Sequence, residues 1–247
     1  MRWRERDGVR WQEALLPGAQ AMFSTRVGGV SEPPFDSLNI GLLTGDEPAS
    51  VRENRHRLAS AVEVDPDDVL IGRQVHAAEL QFHDGRQPER GFAAPGARLA
   101  EVDAQATAQE RLAPLVFVAD CLPVALAGPG GVAMVHCGWR GLAGGIIAKA
   151  VDAVDATAAA IGPGIGPCCY QVGQEVLDEF DYLGVGIADG RMLDLGEVAR
   201  RLLGRSGVGE MESSGLCTSC EEELFFSHRR DDGRTGRQAG MVRRWQS

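Results

Sequence analysis

The spacing of apolar positions changes character along this chain. In residues 51–62, Val51, Leu58, Ala59 and Val62 recur at helical spacing, and Asp46 or Ser50 is available as a cap. Apolar runs bounded by breakers at residues 69–71, 115–119, 124–127 and 132–135 read as strands, as does the stretch 74–82. Gly128-Pro129-Gly130-Gly131 is a strong turn signal between two of those runs. Residues 142–160, rich in small side chains, read as helix, and segments 174–180 and 195–203 have helical patterns. Residues 162–167 alternate Gly and Pro too densely for regular structure, and residues 84–98 read as an exposed loop. Strands and helices mix without strict βαβ alternation, which favours an α+β fold.

Length and charge narrow the function. A chain of 247 residues makes one large domain or two small ones. No apolar run reaches the ~20 residues of a membrane helix. No apolar signal region follows Met1-Arg2-Trp3-Arg4, so a cytoplasmic location with reduced cysteines is expected. The net charge of −10 argues against a general nucleic-acid binder. Neither a membrane nor a protein partner is identifiable.

The chemistry concentrates in Ala119-Asp120-Cys121-Leu122-Pro123 and His136-Cys137-Gly138-Trp139-Arg140. If the glycine turn closes an antiparallel hairpin, Pro123 falls opposite His136, and Cys121 shares the face of Pro123. A thiolate and an imidazole then meet, a donor set that suits zinc. His76, in the polar patch Arg73-Gln74-Val75-His76, is the best third ligand. His56 lies on a polar helix face, His83 in a loop and His228 among arginines that repel a cation. A buried cysteine is more often inert core, so spacing alone leaves a structural pair open. Arg140, where a strand hands over to a helix, and Arg26, in a Gly-rich turn, are candidate anion contacts.

Other motifs carry less. Gly162-Pro163-Gly164-Ile165-Gly166 is no dinucleotide fingerprint, and neither a P-loop nor a G-x-S-x-G elbow occurs. Cys217-Thr218-Ser219-Cys220 is a single C-x-x-C. A structural zinc needs a second pair, and Cys168-Cys169 has the wrong spacing, so these read as ordinary thiols.

The ordered motifs Phe23-Ser24-Thr25-Arg26-Val27-Gly28-Gly29, Ser37-Leu38-Asn39-Ile40-Gly41, Asn54-Arg55, Gln74-Val75-His76, Ala119–Pro123 and His136–Gly141 resemble the bacterial YfiH-like proteins. That family is related to the human laccase-domain protein and was long labelled multicopper polyphenol oxidase. The similarity continues through residues 161–170, Cys217-Thr218 and residues 225–236. It departs at Cys137, Ala77 and Gln171, where the family usually has alanine, glycine and glutamate, and at an extra residue in Asp231-Asp232-Gly233.

The resemblance implies one domain over residues 1–247 with α/β/β/α layers. It implies a Zn²⁺ site on His76, Cys121 and His136. It also implies purine nucleoside phosphorolysis on adenosine, inosine, guanosine and S-methyl-5'-thioadenosine, with adenosine deamination beside it. Substrates are then purine nucleosides and inorganic phosphate. Cys121, His136 and Arg140 are expected to serve catalysis. Arg26 and Arg55 are expected to hold phosphate, and Asn39 and Gln74 to bond ribose or base. A four-copper oxidase is rejected: it needs roughly ten histidines, and the chain has five. Two alternatives remain, a cysteine hydrolase using Cys121 with His136 or His76, and a non-catalytic nucleotide-binding module.

Overall fold

In the computed structural model, which describes residues 1–87, 91–93 and 98–245, the elements run as follows. Strands β1 (Arg2–Arg6), β2 (Val9–Leu16) and β3 (Ala19–Ser24) form a meander, followed by helix α1 (Pro48–Ala61) and β4 (Val69–Leu70). Strands β5 (Leu80–His83), β6 (Ala104–Thr107), β7 (Ala113–Val118), β8 (Leu122–Gly128) and β9 (Gly131–Cys137) come next. Helices α2 (Trp139–Ala143) and α3 (Ile146–Val154) lead to β10 (Ala158–Ile161) and α4 (Gln174–Asp178). The chain ends with β11 (Ala188–Asp189), β12 (Met192–Leu193), α5 (Leu195–Arg205), β13 (Glu210–Ser213) and β14 (Gln238–Arg244).

Two six-stranded sheets, ordered β1-β2-β3-β14-β7-β4 and β13-β10-β8-β9-β6-β5, stack face to face. Strand alternation sorts the side chains into three cores. In β9, Val132 and Met134 face the other sheet, whereas Ala133, Val135 and Cys137 face α3 and α5. In β7, Val116 and Val118 face the inter-sheet core, whereas Ala113 and Leu115 face α1. The result is a single α/β/β/α domain of the α+β class.

The inter-sheet core uses small residues, Ala21, Ala125, Ala127, Ala158 and Ala160 among them, so the sheets approach closely. A Cβ at Gly240 would stand 2.5 Å from that of Pro123, so β14 can pass β8 only with glycine there. Among the described residues, no helix is long and apolar enough to cross a membrane.

The fold corrects several expectations. Of residues 74–82 only positions 80–82 are strand, as part of Leu80–His83, because the backbone of residues 75–77 is bonded to a side chain instead. The helix over 142–160 is cut by Gly144-Gly145, and Ala158–Ile161 pairs with β8, where small side chains suit the sheet interface. Neither Asp46 nor Ser50 caps α1; Glu47 holds that position, while the Asp46 carboxylate accepts from Ser31 and Asn39. Of residues 84–98, positions 88–90 and 94–97 lie outside the described residues, and Gln87, Gly91 and Phe92 are buried rather than exposed.

Candidate active site and metal centre

The hairpin β8–β9 places the central groups. Pro123 pairs with His136 and Leu122 with Cys137. His136 therefore points away from the helix side, and its neighbour Cys137 packs into the α3–α5 core, where burial pushes its thiol well up. Cys121 stands just before β8. The preceding Asp120 adopts a left-handed φ of 88°, and its carboxylate accepts from the Thr218 hydroxyl at 2.6 Å and the Arg229 amide at 2.7 Å. These bonds fix the turn that presents the Cys121 sulfur.

His76 reaches the same point from a loop. Its φ of 60° is unusual for a side chain of this size. Buried Asp103 holds that conformation by accepting the amides of Val75, His76 and Ala77 at 3.1, 3.0 and 2.9 Å. The same carboxylate lies 2.7 Å from His136 Nδ1. One acidic side chain thus sets the position of one imidazole and the ring orientation of the other. It leaves His136 Nε2 as the nitrogen available to Cys121. Burial works against the Asp103 charge, but the His136 bond and the amides hold its carboxyl below the usual range.

One donor atom each from His76, Cys121 and His136 lies within 4.8 Å of the others. The imidazole centroids are 4.9 Å apart and meet edge to face. Burial pushes the Cys121 thiol up, but the His136 charge and hydrogen bonds with His136 and His76 outweigh it, so its pKa falls to about 6. Burial pushes His136 down, and the Cys121 thiolate with Asp103 reverses that, to about 9. A Cβ at Gly138 would come within 3.1 Å of Cys121 Sγ and 3.2 Å of His76 Cδ2, so glycine leaves room at this junction. Two imidazoles and one thiolate, oriented by a carboxylate and open on one side, fit a zinc ion with a free fourth position.

That open side faces a cavity of about 1040 Å³. Arg140 lines it, exposed and stacked 4.2 Å from the Trp139 ring. Helix α2 is only five residues long, so the charge here comes from the guanidinium rather than from aligned peptides. Arg229, 5.2 Å over the Tyr170 ring, and Arg237, half-buried, line the cavity too. Among the described residues none of these three pairs with a carboxylate. Phe117, Leu99 and Ile71 give the cavity apolar wall, and Arg52 and Arg73 line it as well.

The other expected contacts divide. Arg55 lines the cavity, but its guanidinium is spent on the carbonyls of Ile40, Gly91 and Phe92 at 2.9, 3.2 and 3.2 Å. Burial lowers its pKa to about 10. Gln74 also lines the cavity, with its amide donating to and accepting from the Phe117 backbone at 2.8 and 2.7 Å. Two residues lie outside the cavity lining. Arg26 sits in a separate surface hollow, 3.0 Å from Asp36 and 4.8 Å over the Phe226 ring. Asn39 is fully buried, donates to Asp46 and Thr44, and accepts the Arg237 amide at 2.8 Å, so it positions that arginine.

Sequence reasoning missed Asp103, whose partners lie up to 33 positions away and leave no local motif. It missed Arg237 for the same reason. His228 lines the cavity but is outside the close donor group.

Residues 20–244 match the family model described as multi-copper polyphenol oxidoreductase laccase. The chain belongs to this laccase-domain family. A relative from Shigella flexneri, named purine nucleoside phosphorylase YfiH, is 36% identical over 94% of this chain and 96% of its own. Another from Geobacillus stearothermophilus, named purine nucleoside phosphorylase YlmD, is 37% identical over 97% and 95%. The crystal structure of YlmD from that organism superposes with a TM-score of 0.90 at 35% identity, covering 98% of each chain. That of the Bacillus licheniformis hypothetical protein YfiH gives 0.87 at 35%, covering 98% and 99%. Imidazole is the main ligand of a four-copper centre, and among the described residues the donor group at the cavity contains only two histidines, a set that does not fit such a centre.

Proposed function

We propose that this protein is a zinc-dependent purine nucleoside phosphorylase acting on adenosine, inosine, guanosine and S-methyl-5'-thioadenosine, with adenosine deamination as a side activity. The observation that carries the reading is the meeting, in one cavity, of an open three-donor site with arginines free of carboxylate partners. The relatives' shared name supports the substrate class. A cavity of about 1040 Å³ has room for a nucleoside and a phosphate together.

Orthophosphate attacks the ribose C1′, the bond from C1′ to the purine nitrogen breaks, and the products are the free base and ribose 1-phosphate. Positive charge gathers on the sugar while the phosphate oxygen approaches. Arg140, with Arg229 and Arg237, holds the phosphate and fixes its direction of approach. Arg55 and Gln74 keep the wall behind the sugar and base in place through their backbone bonds. Tyr170, Trp139 and Phe117 offer ring faces to the purine. Zinc, when bound by His76, Cys121 and His136, supplies a Lewis-acid position for a phosphate oxygen or a water. Deamination exchanges the adenosine amino group for a water oxygen and releases ammonia. The six free cysteines suit the reducing cytoplasm.

One observation favours a second reading. Cys121, His136 and Asp103 stand in the order nucleophile, base and orienting carboxylate, as in a cysteine hydrolase. Initial rates of purine release from adenosine and inosine, with and without inorganic phosphate, separate the two. The phosphorylase requires phosphate, whereas a hydrolase is indifferent to it.

A further inference from the structure

Four cysteines outside the cavity also converge. One sulfur each from Cys168, Cys169, Cys217 and Cys220 lies within 4.8 Å of the other three. Cys220 Sγ is 3.5 Å from the sulfurs of both Cys168 and Cys169. Cys168-Cys169 lacks the spacing of a second C-x-x-C, yet the fold brings both sulfurs to the Cys217–Cys220 pair. A parallel bridge between Gly164 and Cys217, 53 positions apart, aligns the two loops and brings the two pairs together.

We propose that these four cysteines form a second metal site, a closed tetrathiolate centre that takes zinc and fastens the loop of residues 162–170 to that of residues 214–220. Four sulfurs about 2.3 Å from a zinc ion occupy a tetrahedron whose edges are about 3.8 Å. The two closest separations, 3.5 Å each, lie near that edge, and all four sulfurs fall within 4.8 Å of one another. A disulfide would draw two sulfurs to about 2.0 Å and leave the others aside. Here Cys220 approaches two sulfurs equally, so the group has one centre rather than two pairs. The Cys217 sulfur accepts the Gly166 amide at 3.2 Å and further backbone amides from Ser219 and Cys220. Amides aimed at one sulfur stabilise a thiolate, the form that binds metal, and each thiol gives up its proton as the metal enters.

The position gives the site a task. Thr218, next to Cys217, bonds Asp120 through its hydroxyl and Gly164 through its amide. The Ile165 amide donates to the Asp120 carbonyl at 2.8 Å, and both Ile165 and Tyr170 line the cavity. Both loops thus brace the left-handed turn before Cys121 and one wall of the cavity. The site's four protein ligands leave no open position, so its contribution is to folding and loop placement.

The test is metal content of the full chain, loaded with zinc under reducing conditions and freed of loose metal. The wild type should hold about two zinc ions per chain. Cys168→Ser/Cys220→Ser and His76→Ala/His136→Ala should each hold about one. Cobalt(II) titration of the His76→Ala/His136→Ala chain guards against misfolding of the cysteine variant. It should give strong thiolate-to-metal charge transfer that saturates at about one equivalent. A cysteine variant that holds as much zinc as the wild type, or a histidine variant without charge transfer, would overturn the proposal. So would disulfides among these cysteines that persist under reducing conditions.

Discussion

Two clusters of metal-type donors lie on opposite sides of Asp120, and they differ in almost every feature. His76, Cys121 and His136 stand at the mouth of a cavity, mix sulfur with nitrogen, and are steered by the buried Asp103. Cys168, Cys169, Cys217 and Cys220 are sulfur alone, sit at the surface and are steered by backbone amides. The first leaves a coordination position free, which is what chemistry needs. The second closes on itself, which is what a fastening needs. Asp120 joins the two, with its backbone leading to Cys121 and its carboxylate bonded to Thr218.

If that contrast is right, losing a donor has different consequences on the two sides. Cys121→Ala or His136→Ala should remove the cavity metal and abolish phosphorolysis. The metal content of those variants and their rate of purine release check this. Arg140→Ala should keep its metal but raise the KM for phosphate and lower kcat. A lost charge-assisted contact costs about 2–4 kcal/mol, or roughly 30- to 1000-fold in rate. Arg140→Lys should recover only part, since an ammonium lacks the fork. Arg26→Ala should leave the phosphate KM unchanged, because its guanidinium serves Asp36 outside the cavity.

Asp103→Asn should weaken zinc binding at the cavity by about 10- to 100-fold, measured by chelator competition, and leave the tetrathiolate metal in place. The smallest effect concerns pH. In metal-free protein, Cys121 is charged above a pKa of about 6, so its alkylation rate should be flat above that value and fall as pH drops through it. Cys137, buried with its thiol pushed up, should not react over the same range. Mass spectrometry of the alkylated peptides distinguishes the two neighbours of the hairpin.

The hairpin was legible because its evidence is local: two apolar runs, a glycine turn and period-two alternation place Pro123 opposite His136. Layering was legible only through family resemblance, since β3 and β14 pair across more than two hundred positions. Asp103 was invisible because it works on the backbone of residues 75–77, which carries no side-chain signature. Around Arg26 the sequence shows a Gly-rich turn with hydroxyls, which resembles an anion cradle, but it does not show that Asp36 folds back as a carboxylate partner. The cysteine cluster needed the Gly164–Cys217 bridge, a contact between loops that no spacing rule encodes.

The central claim is that the cavity transfers a ribosyl group to phosphate. Phosphorus NMR of the zinc-loaded wild type with inosine and inorganic phosphate tests it most directly. The account predicts that a ribose 1-phosphate resonance grows in step with hypoxanthine while orthophosphate declines by the same amount. Hypoxanthine that accumulates with the orthophosphate signal unchanged, and free ribose as the sugar product, would contradict it.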